Sequence, residues 1–257
     1  FAYFLDENLM TMDVYSRRVW MKEICRLWKE NDLVPKKKKD GTWTGLHWSG
    51  TSHATLCEPN VLKMMRDHGC SHLVYGYEHF DDRILKTMGK GSTRKTNLRS
   101  FFWTLESGIR PIPNQIIGFP EEDFDSLRNQ MKAWDDLGMM VKPHFATPYP
   151  GSEWFTIYRK DIEKQYAGRG KALGLKDDLE AYILDLGDAS RISAVISKNF
   201  NAIELAGLRE IMLHRQYDKI DAYEKEWRAK HNMKPGEPST LCEDKSSFKP
   251  ENLKTGS

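Results

Sequence analysis

The segment that decides the fold reads Ile112-Pro-Asn-Gln-Ile-Ile-Gly-Phe-Pro-Glu-Glu-Asp-Phe-Asp-Ser-Leu-Arg-Asn-Gln-Met-Lys-Ala-Trp-Asp-Asp-Leu-Gly138. Its first six residues are mostly apolar and predict a strand, which Gly118 and Pro120 interrupt. Phe124, Leu127, Met131, Trp134 and Leu137 then recur every three or four residues, as one face of a helix that ends at Gly138. A second strand is expected near Met140 to Ala146. Strand, helix, strand is the crossover unit that makes neighbouring strands parallel.

Working outward, the same alternation recurs until five such units are counted. Phe1 to Leu5 predicts a strand, followed by a helix from about Met12 with Trp20, Ile24, Leu27 and Trp28 on one face toward the sheet. A basic loop, Lys36 to Gly41, leads to a strand around Trp43 to Trp48. The next helix opens at Pro59, buries Val61, Leu62 and Met65, and closes at Gly69. Ser71 to Gly76 predicts a strand, Ile84 and Leu85 a helical stretch, and Thr93 to Glu106 a helix stopped by Gly108. After Pro150 only helices are expected, the longest from Asn201 to Lys230, and the segment from Pro235 reads as a polar tail. The units predict an α/β fold, a curved parallel sheet or partial barrel with function at the loops after the strands.

At 257 residues the chain is long enough for a sizeable core. With 39 Lys+Arg against 37 Asp+Glu its formal charge is +2, too small to call for a polyanionic partner, so nucleic acid is not expected. No apolar run approaches the ~18 residues of a membrane span. Cys25, Cys57, Cys70 and Cys242 are widely spaced, which predicts free thiols in the cytoplasm or another reducing compartment. No signal peptide is read in Phe1 to Glu7.

Polar or backbone-special residues follow the strands: Asp6, Glu7 and Asn8, then Glu78, then Gly118 to Glu122, then Thr147 to Gly151. Carboxylates there can accept hydrogen bonds from an ammonium or from ribose hydroxyls, and Gly or Pro lets backbone approach a flat base. The plainer reading is helix capping, for which Glu121, Glu122 and Asp123 are well placed. On the residues alone, both readings stand.

Phe4-Leu-Asp-Glu-Asn8, Gly76-Tyr-Glu78 with Ile84 to Lys90, Ile116-Ile-Gly-Phe-Pro120 with Glu122, and Thr147-Pro-Tyr-Pro-Gly151 resemble, in order and spacing, the strand-end motifs of radical S-adenosylmethionine (SAM) enzymes. The last element is most similar to the cobalamin-binding branch. The resemblance covers roughly residues 1–200. It implies a partial (β/α)6 TIM-like barrel with strands two to six present: residues 1–155 as an N-terminally incomplete barrel, 156–234 as a C-terminal helical extension and 235–257 as the tail. It also implies that Glu7 and Asn8 lie near the SAM amino group or substrate, Glu78 near its methionyl or ribose part and Gly118 and Phe119 near adenine, with Thr147 and Tyr149 lining the far wall. The implied chemistry is SAM cleavage by a [4Fe-4S] cluster to start radical reactions such as methylation or rearrangement, on a small-molecule or peptide substrate, with an electron donor for the cluster.

The family's CxxxCxxC loop is not in this sequence, and no cysteine here has the spacing to replace it. Because the chain opens on an apolar strand, the cluster loop is expected upstream, with any cobalamin domain. The chain alone is expected to be inactive, with no metal ligands and no catalytic residue assigned. His79 and Ser49-Gly-Thr-Ser52 depart from the family's usual Ser and Arg. A degenerate, non-catalytic barrel serving as a scaffold or assembly subunit is the alternative. Two loose groups, His68/Cys70/His72 and His47/His53/Cys57, lack zinc-ligand spacing, and Lys36 to Lys39 near Trp43 and Trp48 could touch phosphate or nucleic acid, a third alternative, but read first as a solvated turn.

Overall fold

The computed structural model describes residues 1–5, 8–172, 179–185, 189, 191–234 and 237. Its strands are Ala2–Tyr3 (β1), Lys36–Lys37 (β2), Trp43–Thr44 (β3), Trp48–Ser52 (β4), Cys70–Glu78 (β5), Arg110–Ile117 (β6) and His144–Phe145 (β7). β1, β4, β5, β6 and β7 form one sheet in that order, and the β1–β4, β4–β5 and β5–β6 pairs are parallel. This is the α/β partial-barrel sheet expected from the repeated crossover units. β2 and β3 make a separate antiparallel hairpin.

The helices explain the parallel pairing. Leu9–Tyr15 (α1) and Val19–Glu30 (α2) link β1 to the hairpin, and Pro59–Asp67 (α3) links β4 to β5. Asp82–Thr87 (α4) and Arg94–Glu106 (α5) follow β5, and Phe124–Asp136 (α6) follows β6. Glu153–Ile157 (α7), Arg159–Ala172 (α8), Leu179–Asp185 (α9), Ala202–Leu213 (α10) and Ile220–Lys230 (α11) complete the described helices. None of them is long and apolar enough to cross a membrane.

β5 is the middle strand and alternates as a strand with two environments must. Leu73, Tyr75 and Tyr77 are fully buried, while His72, Val74, Gly76 and Glu78 between them are less so. The two tyrosine rings stack 5.1 Å apart, and their hydroxyls bond Thr104 and Ser100 of α5. A buried phenol without such a partner would cost about 1–3 kcal/mol.

α6 realises the pattern that opened the reading: Phe124, Leu127, Met131 and Trp134 are all buried. Asp123 caps its start, accepting the Ser126 N–H at 2.8 Å while the Ser126 hydroxyl accepts that of Asp123. Gly138, at φ +60°, ends it as a left-handed C-cap. The capping reading is therefore right for Asp123.

Several boundaries differ from expectation. The buried face of α2 is Met21 and Cys25, with Ile24 and Trp28 half-buried, whereas Leu27 is 44% exposed. Large Trp and Leu side chains weighted the periodicity toward the wrong stripe, because Met21 and Cys25 carry less hydrophobic signal. The expected strand at Trp43 to Trp48 divides into the hairpin strand β3 and the sheet strand β4, since Gly45, at φ +77°, breaks it. The strand foreseen at Met140 to Ala146 shrinks to His144–Phe145. Pro111 and Pro113 remove N–H donors from one edge of β6 while β5 pairs along the other. The long helix foreseen from Asn201 to Lys230 breaks at Arg215, whose φ of +53° follows the end of α10, and Gln216 N–H closes back on Ile211 O at 2.9 Å.

By contacts the chain divides into two compact units, residues 1–116 with 129–144, and residues 117–128 with those from Phe145 onward. The core of the second holds an aromatic cluster in which Phe124 meets Phe200 and Trp227 edge-on at 5.2 and 5.3 Å. A separate cluster gathers Phe155, Ile162, Leu179, Tyr182, Ile183 and Ala194. The tail expected at 235–257 lies, except for Glu237, outside the described residues.

The α2 assignment is directly testable by urea unfolding of the full chain. Met21→Ala is expected to cost about 2–5 kcal/mol and Leu27→Ala no more than about 0.5 kcal/mol. Equal costs would return the helix to the face read from the sequence.

Candidate functional site

In the first unit, the C-terminal ends of β1, β4 and β5 share one edge of the parallel sheet and carry Asn8, His53 and Glu78. Glu78 adopts φ +59°, a left-handed conformation rare for a residue other than glycine, immediately after a register shift between β5 and β6. Such a backbone costs on the order of 1–3 kcal/mol and persists only where its surroundings enforce it.

Lys90 supplies the enforcement. Its Nζ donates to Gly76 O at 2.8 Å and pairs with the Glu78 carboxylate. A Cβ on Gly76 would run into both the Glu78 carboxylate and the Lys90 ammonium. Glycine is thus required for the ion pair to lie against the strand. Lys90 sits between Gly89 and Gly91, at φ +64° and +71°, so two left-handed glycines fold its loop back over β5. The Glu78 and Lys90 side chains are 12% and 26% exposed, leaving the pair reachable by solute.

His53 completes this cluster. Burial, and then the Lys90 charge, hold its pKa below the usual histidine value, which keeps the imidazole neutral near pH 7. Its Nδ1 is engaged with Thr55, at 2.7 Å from the hydroxyl. Asn8 caps α1 without a side-chain cap bond, and its Oδ1 is buried with no hydrogen-bond partner among the described residues. An orphaned buried acceptor is uncommon, so Asn8 Oδ1 has room for a further hydrogen bond beyond those the described residues make. Glu7 lies outside the described residues. His79 is fully buried: its Nδ1 accepts the Asp81 N–H at 2.9 Å, and its carbonyl accepts from Asn97. It holds the turn into α4.

In the second unit, Ala146 N–H donates to Ile117 O at 2.8 Å, which brings Gly118 and Thr147 side by side. Gly118, at φ +92°, donates its N–H to the Glu122 carboxylate. Phe119 is fully buried, edge-on to Trp154 at 5.6 Å. Thr147 Oγ1 donates to Phe145 O at 3.2 Å, and the Tyr149 ring packs against the cluster around Phe155 and Tyr182. Asn199 donates to Glu122 O at 2.7 Å, and Lys198 pairs with Glu121 at 2.8 Å. Glu122 is therefore a brace for the turn, not a helix cap.

A cavity of about 700 Å³ also lies in the second unit, and none of the residues foreseen from the sequence lines it. Tyr158, Gln165, Val195, Asn201, Glu204 and His231 contribute to its wall. Burial pushes the Glu204 pKa up, but Lys230 at 2.5 Å, the Asn201 N–H and His231 outweigh it and bring the group down to about 2.

The described cysteines do not suit a metal or cluster. Cys25, Cys57 and Cys70 are buried free thiols. Burial, with a smaller push from Asp13, raises the Cys25 thiol to about 12, and burial also raises the other two. No group of three His, Cys, Asp or Glu among the described residues could hold a metal ion. The His68 and His72 Nδ1 atoms are engaged with Met64 O and the Ser71 hydroxyl.

Sequence reasoning pointed at Glu78, weighed His53 only within a loose zinc group and treated Lys90 only as part of a motif. Glycines on both sides of Lys90 were the available signal. For His53 a strand-end position could not be read, because the strand before it was misplaced.

The fold and these strand ends define a parallel α/β protein with a polar rim at the sheet edge. No protein-family model matches the chain. It is similar to an uncharacterized methyltransferase of Pyrococcus horikoshii, 28% identical over 122 residues, covering 47% of this chain and 26% of that protein. It is also similar to the bacteriochlorophyllide d C-12(1)-methyltransferase of Chlorobaculum tepidum, 27% identical over 169 residues, covering 60% of this chain and 36% of that protein. The chain thus spans between a quarter and about a third of these relatives. Similar solved structures include the radical SAM methyltransferase TsrM of Kitasatospora setae with tryptophan and a SAM analogue (TM-score 0.46, 17% identity, 65% of this chain and 30% of that one). The cobalamin-dependent radical SAM enzyme OxsB is another (TM-score 0.40, 17% identity, 51% and 18%).

The depressed Glu204 pKa carries a stability signature. A carboxylate lowered from 4.5 to about 2 contributes fully above about pH 4.5 and loses its contribution as pH falls from there toward 2. Urea unfolding from pH 7 to pH 2 should show wild type more stable than Glu204→Gln at neutral pH, with the gap closing across that window. A gap independent of pH would remove the ion pairs as its cause.

Proposed function

We propose that this chain provides SAM-binding strand ends of a radical SAM enzyme of the methyltransferase type. In that reading the complete protein cleaves SAM with a [4Fe-4S] cluster to start methylation or another radical transformation. The observation that carries it is the strained, glycine-backed Glu78 at the end of the central strand. Four motifs in family order on consecutive units, and similarity to two methyltransferases, support it.

The residues present fit SAM in part. Glu78 offers a carboxylate acceptor for an ammonium or ribose hydroxyls, and Asn8, on the same sheet edge, an acceptor with no partner among the described residues. When bound, SAM would supply a methyl group or, on one-electron cleavage, a carbon radical. The chain's own part is to bind and orient it: Lys90 holds the Glu78 carboxylate in place at the strand end, and neutral His53 adds no second positive charge against a cationic sulfonium. The residues described here do not fit the cluster, since their thiols are buried, protonated and dispersed. The proposal therefore places the cluster ligands, the electron-donor contact and any cobalamin on other parts of the protein. The substrate is a small molecule or peptide.

One observation favours a second reading, a non-catalytic scaffold: Glu78 and the Gly118 N–H already have internal partners in Lys90 and Glu122. Calorimetric titration separates the two. Wild type should bind SAM, and Glu78→Ala should weaken binding roughly 10-fold or more, the loss expected for a charged hydrogen bond. No heat with SAM would favour the scaffold, and equal affinity in Glu78→Ala would take Glu78 out of the binding site.

A further inference from the structure

The β2–β3 hairpin is more than the solvated turn its composition suggested. It is fastened at its root: Leu46 N–H donates to Leu33 O at 2.8 Å and Trp28 Nε1 to Leu46 O at 3.1 Å. Gly45 lies so close to the Leu33 and Val34 carbonyls that a Cβ would come within 2.6 Å of both. The tip is closed by Lys38 N–H on Thr42 O at 2.7 Å and by the Asp40 carboxylate on Thr42. A loop held in this way presents its side chains in fixed positions.

Lys37 and Trp43 are cross-strand partners, and such partners stand side by side on one face of a ribbon. Trp43 is 59% exposed, unusual for so large an apolar ring. Lys36 is taken by Asp32 at 2.6 Å, whereas Lys37, Lys38 and Lys39 are exposed and make no ion pair among the described residues. Beside Trp43 lies a cavity of about 250 Å³ whose walls include His47, Arg66 and Gly69. The Trp43 ring meets the His47 ring at 5.5 Å, and His47 Nδ1 is buried without a hydrogen-bond partner among the described residues. Gly69 has no room for a side chain, because Pro35 stands 2.7 Å from where a Cβ would be.

We infer that this hairpin binds single-stranded nucleic acid, with a base on Trp43 and the backbone phosphates along Lys37 to Lys39. An exposed aromatic beside fixed cations is the minimal stacking platform for unpaired bases. The cavity is below the 300–1,000 Å³ range of ordinary small-ligand pockets, so it suits one base of a longer strand, with Arg66, the carboxylate of Asp67 and the His47 nitrogen as its polar contacts. The near-neutral net charge hid this, since a polyanion responds to where the lysines stand. An acidic polypeptide would use the lysines but gives no role to an exposed Trp beside an orphaned imidazole. The inference is independent of SAM binding.

Fluorescence polarisation of the full chain with labelled oligo(U) and oligo(dT), and with duplex DNA of equal length, tests it. Three phosphate contacts predict a log–log salt slope of about −2 and a roughly 20-fold loss of affinity between 50 and 200 mM salt. Trp43→Ala should weaken single-strand binding roughly five-fold or more, and the Lys37→Glu, Lys38→Glu, Lys39→Glu variant should abolish it, with circular dichroism unchanged in both. A preference for oligo(U) or for oligo(dT) supports the inference and assigns the sugar. It would be overturned by duplex binding as tight as single-strand binding, by Trp43→Ala binding as wild type, by the absence of binding at low salt, or by polyglutamate competing as well as unlabelled oligonucleotide.

Discussion

The ion pair between Glu78 and Lys90 is the constraint on which the sheet edge depends. Glu78 ends the middle strand in a conformation its side chain disfavours, and the backbone can stay there because Lys90 bonds both the carboxylate and the Gly76 carbonyl. Three glycines serve that contact: Gly76 by having no Cβ where the pair lies, and Gly89 and Gly91 by returning the loop over the strand. Strain with so much structure committed to it is the pattern of a functional site. The same contact makes the site selective, because any cation that reaches Glu78 must share it with Lys90 or displace it.

Much of this fold was legible from periodicity and punctuation. α6 was readable to within a residue or two because Phe124, Leu127, Met131 and Trp134 keep one stripe and Gly138 ends it. α3 was equally plain, with Pro59 opening and Gly69 closing. The misreadings share a cause: tertiary context overrode a local pattern. Leu27 looked like core beside Met21 and Cys25, β7 was shortened where prolines thin the donors of β6, and the last helix broke at Arg215, a residue with no sequence signature of a C-cap.

The site was less legible than the fold. Strand-end position alone marked Glu78 and Gly118, but could not show that each meets an internal partner, Lys90 and Glu122. Glu122 looked like a cap and braces Gly118, and His53 was noticed only as part of a loose zinc group because its strand was misplaced by several residues. The lysine loop shows the same limit for charge, since composition counts lysines while register sets Lys37 beside Trp43.

The most direct measurement of the central claim is a crystal structure of this chain grown with SAM. The account predicts the ligand's ammonium or ribose against the Glu78 carboxylate, with Lys90 shifted from the position it holds over Gly76. SAM bound away from Glu78 with the Glu78–Lys90 contact intact, or no bound SAM at all, would contradict it.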